Sequence, residues 1–172
     1  QLRKAAWLGW LYGIGMFGTG SSWVYVSIHV HGHAPMPLAL LLTAIWTMAL
    51  AVLPALFAFC YIRFLADHRG AIMFGFPALW VLFEWLRSWL LTGFPWLYLG
   101  YGGIDSWLAG WAPIGGVYLL SLAMALSAAS IFVICHQQNN RIRFMAAAIG
   151  AGLWLGGLAL KQIEWTTAES NQ

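Results

Sequence analysis

Two charged side chains stand three residues apart in an otherwise apolar stretch, Glu84 and Arg87 in Phe83-Glu-Trp-Leu-Arg-Ser-Trp89. On a helix that spacing puts them on one face. Charges in apolar surroundings are costly, so they pair or face a cavity. Two readings are open. One is a buried ion pair or polar clamp holding the helix to a loop. The other is recognition of a polar lipid headgroup, with Arg87 on the phosphate because its planar fork can bond two oxygens. His29, His31 and His33 have spacing two, which in an extended loop points all three the same way, as a metal site needs. No Cys or acidic residue is nearby in sequence, so solvated or interfacial histidines are favoured and no metal is assigned. A cysteine nucleophile needs a base within reach. Cys60 and Cys135 lie close before Arg63 and Arg141, whereas Glu84 and Asp105 fall toward the opposite face. Roughly 30 Å of hydrocarbon separates such groups, so both cysteines read as packing residues. There is no phosphate-binding glycine loop, zinc spacing or Gly-x-Ser-x-Gly elbow. No catalytic residue and no cofactor is assigned to the chain.

The surroundings of these residues follow from composition. Of 172 residues, 62% are hydrophobic, and 8 Lys+Arg with 5 Asp+Glu make 13 charges. A soluble domain of this length carries roughly 40. The mean hydropathy is +0.76. These values exclude an ordinary soluble domain, a disordered chain and a nucleic-acid binder. The class expected is all-α: a polytopic transmembrane helix bundle filling residues 1–161, followed by an extracytoplasmic linker at 162–172. A spanning helix needs about 20 apolar residues. Five stretches qualify, at about 5–28, 37–65, 71–91, 114–135 and 144–160, with Pro54 as a kink in the second. Gly9/Gly13 and Gly152/Gly156 form GxxxG pairs, which read first as packing within the chain and second as a dimer face. The two Cys do not form a disulfide framework. The first residue is Gln1, so the chain is expected to be a piece of something longer.

Six basic residues set an orientation. Arg3 and Lys4 precede the first stretch, Arg63 and Arg69 follow the second, and Arg141 and Arg143 follow the fourth. These are alternate connections, so they share one side, read as cytoplasmic. The N-terminus is then inside and the C-terminus outside. The connection 92–116 falls outside, yet it is apolar and aromatic with Asp105 as its one charge. Gly93, Pro95, Gly100, Gly102 and Gly103 let its backbone turn, and Trp96, Tyr98, Tyr101, Trp107 and Trp111 suit the interface. It is either an interfacial anchor or the wall of a lipid-accessible pocket.

Several runs occur together in one order: Gly18-Thr-Gly-Ser-Ser-Trp-Val-Tyr-Val-Ser-Ile28, Pro77-Ala-Leu-Trp80 with Glu84-Trp-Leu-Arg87, Leu91-Thr-Gly-Phe-Pro-Trp96 with Leu99-Gly-Tyr101, and Leu108-Ala-Gly with Ala112-Pro-Ile-Gly-Gly-Val-Tyr118. Their combination, from about Leu8 to Trp165, resembles the apolipoprotein N-acyltransferases. The resemblance implies a bacterial inner-membrane enzyme that moves an acyl chain from a phospholipid to the N-terminal amine of a diacylglyceryl-lipoprotein. It implies a thioester on a Cys, assisted by Glu and Lys, all three in a periplasmic nitrilase-like domain that would follow Gln172. By that resemblance this piece is a membrane scaffold, inactive alone. Glu84, Arg87, Gly93, Phe94, Pro95, Trp96 and Tyr101 are its expected substrate-binding residues. Its expected partners are the phospholipid donor, the lipoprotein acceptor and the bilayer. The rival classes are a lipid or solute transporter, which would show paired repeats and broken helices at the midplane, and a purely structural membrane subunit.

Overall fold

The computed structural model describes residues 1–68 and 70–165. Arg69 and most of the expected linker, residues 166–172, lie outside the described residues. The described chain is helical with no strand. It divides into two compact units, Gln1–His68 and Arg69–Gln172.

In the first unit, α1 (Leu2–Gly20) packs on α3 (Met36–Leu50) and α4 (Val52–Cys60). A short helix α2 (Trp23–Val26) runs into a π-helical turn at Ser27–His31. The stretch expected as one helix at 5–28 is therefore broken after Gly20. The cause is local: the hydroxyls of Thr19, Ser21 and Ser22 bond back to the carbonyls of Gly15, Phe17 and Thr19. Such bonds offer the backbone an alternative to the helix ladder. The break between α3 and α4 falls at Ala51. Pro54 has no N–H for the carbonyl four residues back, at Leu50, and its ring crowds it. Gly9 and Gly13 form the seam of α1. A Cβ on Gly9 would meet the Pro54 carbonyl oxygen, and one on Gly13 would sit 2.7 Å from the Ala51 Cα. This GxxxG packs within the chain.

The second unit begins with a π-helical turn, Ala71–Gly75, leading into α5 (Phe76–Trp89). Pro77 again removes a donor, here to the Met73 carbonyl. Three 3₁₀ turns follow, Leu90–Thr92, Leu99–Gly103 and Trp107–Trp111. They lead to α6 (Ala112–His136) and α7 (Asn140–Lys161), the latter capped by the Asn139 side chain accepting from the Arg141 N–H. α6 is the central element. It buries mostly small residues (Ser121, Ala123, Ala125, Ser127, Ala129, Ser130), which let helices approach where lipid supplies no hydrophobic drive. Two apolar clusters centre on it. One is Met73, Ala129 and Ala146. The other is Leu108, Leu120 and Ala123 with Trp111, Met124 and Leu153 around them. Indole donors tie the layers together: Trp111 Nε1 to the Leu153 carbonyl (2.9 Å) and Trp154 Nε1 to Ser127 Oγ (3.1 Å). Of the second GxxxG, Gly156 faces the Trp111 ring, while Gly152 faces open space.

Among the described residues, three helical stretches are long and apolar enough to cross a membrane: Met36–Leu65, Trp107–His136 and Asn140–Lys161. The other two expected spans, 5–28 and 71–91, do not reach that measure. The first is interrupted and rich in Gly, Trp and Tyr, and α5 is 14 residues long with Glu84 and Arg87 inside it.

Candidate functional site

The site is built where α5 hands over to the aromatic loop. Glu84 and Arg87 share a face, as their spacing requires, and both are almost fully buried, at 4% and 6% exposure. Each grips the loop that follows. Glu84 Oε1 accepts from the Trp80 indole (3.0 Å) one turn back and from the Leu99 backbone N–H (2.6 Å). Arg87 Nη2 donates to the Leu97 carbonyl (3.2 Å), and its guanidinium carbon lies 5.0 Å from the centre of the Tyr98 ring. The Arg87 carbonyl accepts from the Phe94 N–H (2.8 Å). These contacts hold the helix to the loop.

The clamp holds a loop with an unusual backbone. Leu91, Thr92 and Leu97 all have positive φ (51°, 77° and 61°), a conformation that side chains resist. Gly93 has φ +81° and ψ 145°, and a Cβ there would run into the Ser88 carbonyl. Glycine is required at this point.

The loop aromatics fall into two layers. Phe94 and Tyr98 are buried, and Trp96 and Tyr101 are about half exposed. Trp96 packs on Phe94 (centroids 5.3 Å apart) and Tyr101 stacks on Tyr98 (5.7 Å). Each outward ring thus rests on an inward one. Pro95, at the turn, is exposed. Tyr98 also meets the Tyr118 ring at 5.6 Å. Among the described residues its hydroxyl makes no hydrogen bond of good geometry, although the Tyr118 and Ser88 side chains are near enough to act on it. Burial is the main reason that this phenol titrates well above its ordinary value. The nearby Tyr118 pushes the same way, and Arg87 opposes it.

Sequence reasoning brought Glu84, Arg87, Gly93, Phe94, Pro95, Trp96 and Tyr101 into one place, and the structure keeps them together in the second unit. It missed Ser121. This α6 hydroxyl is fully buried and accepts from the Gly100 N–H at 2.8 Å. The only signal was a Ser in an apolar helix, which ordinarily bonds its own preceding turn. The histidines do not lie in an extended loop. His29 and His31 belong to the π-helical turn, His29 Nδ1 is within 2.8 Å of the Ala34 carbonyl oxygen, and His33 has φ 51°. Among the described residues no three His, Cys, Asp or Glu side chains gather as a metal site. Cys60 is half-buried and Cys135 exposed, and both are free thiols.

Membrane-length apolar helices with a buried polar clamp at the end of a short one define a helical membrane protein whose loop is folded onto its own helices. Comparison with known proteins narrows that class. The profile of the apolipoprotein N-acyltransferase N-terminal domain matches residues 1–130. The apolipoprotein N-acyltransferase of Vibrio vulnificus is 41% identical over 99% of this chain and 33% of its own length. Those of Pseudomonas syringae pv. tomato and Azotobacter vinelandii are 44% and 46% identical, over 96% and 95% of this chain and 33% and 32% of their own. The chain belongs to the apolipoprotein N-acyltransferase family. It spans about a third of the length of these curated relatives.

Proposed function

We propose that the chain is the membrane module of an acyltransferase that moves an acyl chain from a phospholipid to the N-terminal amine of a diacylglyceryl-lipoprotein. Its part is to hold lipid at the outer interface. Support comes first from the family and then from the loop 93–103, whose Trp96 and Tyr101 rings are seated on buried rings rather than left to solvent. Rings of this kind suit the depth of lipid headgroups. The bond-making is assigned to a further domain of the full-length enzyme. There a Cys thiolate, assisted by Glu and Lys, displaces the lysophospholipid from its acyl ester to give a thioester, and the lipoprotein amine then displaces the thiolate. Neither Cys60 nor Cys135 takes that role.

The same reading gives the topology: a bacterial inner-membrane segment of about five crossings, α1 beginning in the cytoplasm, and residues 162–172 leading into the periplasm. The alternation of basic connections supports this. The loop 93–103 then lies on the periplasmic side, where the acceptor's N-terminus is presented. Arg87 acts on lipid through the loop it braces, since its side chain is buried against Tyr98.

The test is a chimera in which this chain replaces the matching third of the Vibrio vulnificus enzyme. Acyl transfer from phosphatidylethanolamine to a diacylglyceryl-lipopeptide is followed with Trp96→Ala and Arg87→Ala. Both are expected to lower transfer tenfold or more while the protein still inserts. Unchanged transfer with both substitutions would remove the lipid-holding role.

A further inference from the structure

Glu84 and Ser121 come from different helices, 37 residues apart in sequence, yet they serve consecutive amides. Glu84 Oε1 takes the Leu99 N–H, and Ser121 Oγ takes the Gly100 N–H. Gly100 lies directly on α6. A Cβ there would collide with the Val117 carbonyl oxygen and approach Ser121 N at 2.9 Å and Oγ at 3.0 Å. The turn Leu99–Gly103, which carries Tyr101, is therefore pinned to α5 and α6 at its first two residues.

We infer that Glu84 and Ser121 form a two-helix clasp, two positioning residues that hold the turn under the outward Trp96–Tyr101 surface by accepting hydrogen bonds from its backbone. Two further observations bear on it. Positive-φ residues at Leu91, Thr92 and Leu97 store strain in the segment just before the clasp. Such strain persists only where the surroundings over-determine it. The bonds at the Leu97 carbonyl, Leu99 N–H and Gly100 N–H supply that constraint. Moreover, only one carboxyl oxygen of Glu84 is engaged. Oε2 is buried with no hydrogen-bond partner among the described residues. The contact needed is thus an acceptor at Oε1, which an amide provides as well as a carboxyl does.

The clasp itself stands on geometry. Its consequence for the enzyme rests on the reading that Trp96 and Tyr101 meet the donor lipid. The experiment separates the two. Amide hydrogen exchange over residues 97–103 is measured by mass spectrometry on the full-length chimera in phospholipid nanodiscs, alongside KM and kcat for phosphatidylethanolamine. Glu84→Ala and Ser121→Ala are expected to raise exchange of this segment roughly tenfold or more, from the loss of one buried acceptor each. Exchange in 120–135 should stay slow. In both alanine variants KM should rise more than kcat falls, and Glu84→Gln is expected to restore slow exchange and the parental KM. Wild-type exchange in Glu84→Ala would overturn the clasp. So would Glu84→Gln exchanging as fast as Glu84→Ala, because it would make charge the requirement. Faster exchange with unchanged KM would leave the clasp standing and overturn the lipid reading. If Ser121→Ala does not fold, the Glu84 pair alone carries the test.

Discussion

Replacing Gly93 by alanine adds one methyl group at the point where the loop leaves α5. Two costs follow from the geometry. The residue has φ +81° with extended ψ, a region open to essentially no residue but glycine, at about 1–3 kcal/mol. The new Cβ would also overlap the Ser88 carbonyl oxygen and approach the Trp89 nitrogen at 3.2 Å. These are backbone atoms of the helix end, which yield little, so overpacking adds about 1–3 kcal/mol. Together they come to about 2–6 kcal/mol. If the segment relieves itself by opening locally, the Phe94 N–H to Arg87 carbonyl bond of 2.8 Å is the first to break. Thermal unfolding in detergent, followed by near-UV circular dichroism, reads the global cost, and hydrogen exchange at 90–98 reads the local one. Gly152→Ala is the control, since Gly152 is helical with open space where the Cβ would go and alanine favours the helix. The expected result is a midpoint lowered by 5 °C or more, or exchange at 90–98 accelerated at least tenfold, for Gly93→Ala alone. Wild-type behaviour in both measurements would refute the claim that Gly93 is fixed by conformation and contact.

Other expectations follow from the same structure. Gly110→Ala should destabilise the second unit by about 1–3 kcal/mol, because its Cβ would press into the Gly157 backbone and within 2.8 Å of Lys161 N; thermal unfolding checks it. Trp111→Phe loses the donor to the Leu153 carbonyl and the outer part of the ring that lies over Gly156, costing about 1–3 kcal/mol in the same assay. Arg87→Lys retains charge but loses the planar fork between the Leu97 carbonyl and the Tyr98 ring, so exchange at 97–103 should rise and acyl transfer should fall. Tyr98 has its folded-state pKa raised above the ordinary 10.0. The neutral phenol is favoured in the fold, so its contribution is complete below pH 10 and is lost as pH rises from there through the raised folded-state value. A stability profile from pH 8 to 11 should fall at its alkaline end, and Tyr98→Phe should flatten part of that fall.

The helical class and the membrane setting were legible because 13 charges cannot solvate 172 residues. The Glu84–Arg87 face was legible because helical period alone puts i and i+3 together. Pro54 marked the place where α3 gives way to α4, at Ala51 and within one helical stretch, because proline acts on the carbonyl of the preceding turn. The break after Gly20 was hidden: Thr19, Ser21 and Ser22 look like ordinary polar punctuation until their hydroxyls are seen bonding back along the helix. Ser121 was hidden for a different reason. Its partner, Gly100, is 21 residues away, and nothing in one apolar helix says which turn will lie against it. The positive φ of Leu91, Thr92 and Leu97 was equally silent, since these residue types do not favour it and the surrounding contacts impose it.

The role proposed for the outward rings Trp96 and Tyr101 is to hold the donor lipid of the full-length enzyme. The most direct measurement is the KM for phosphatidylethanolamine of the chimeric enzyme carrying Trp96→Ala and Tyr101→Ala together, with Leu155→Ala, an exposed apolar residue on α7, as the comparison. A KM raised tenfold or more by the aromatic pair and little changed by Leu155→Ala is expected. Equal KM in the aromatic variant and the parent, with both proteins inserted and folded, would contradict it.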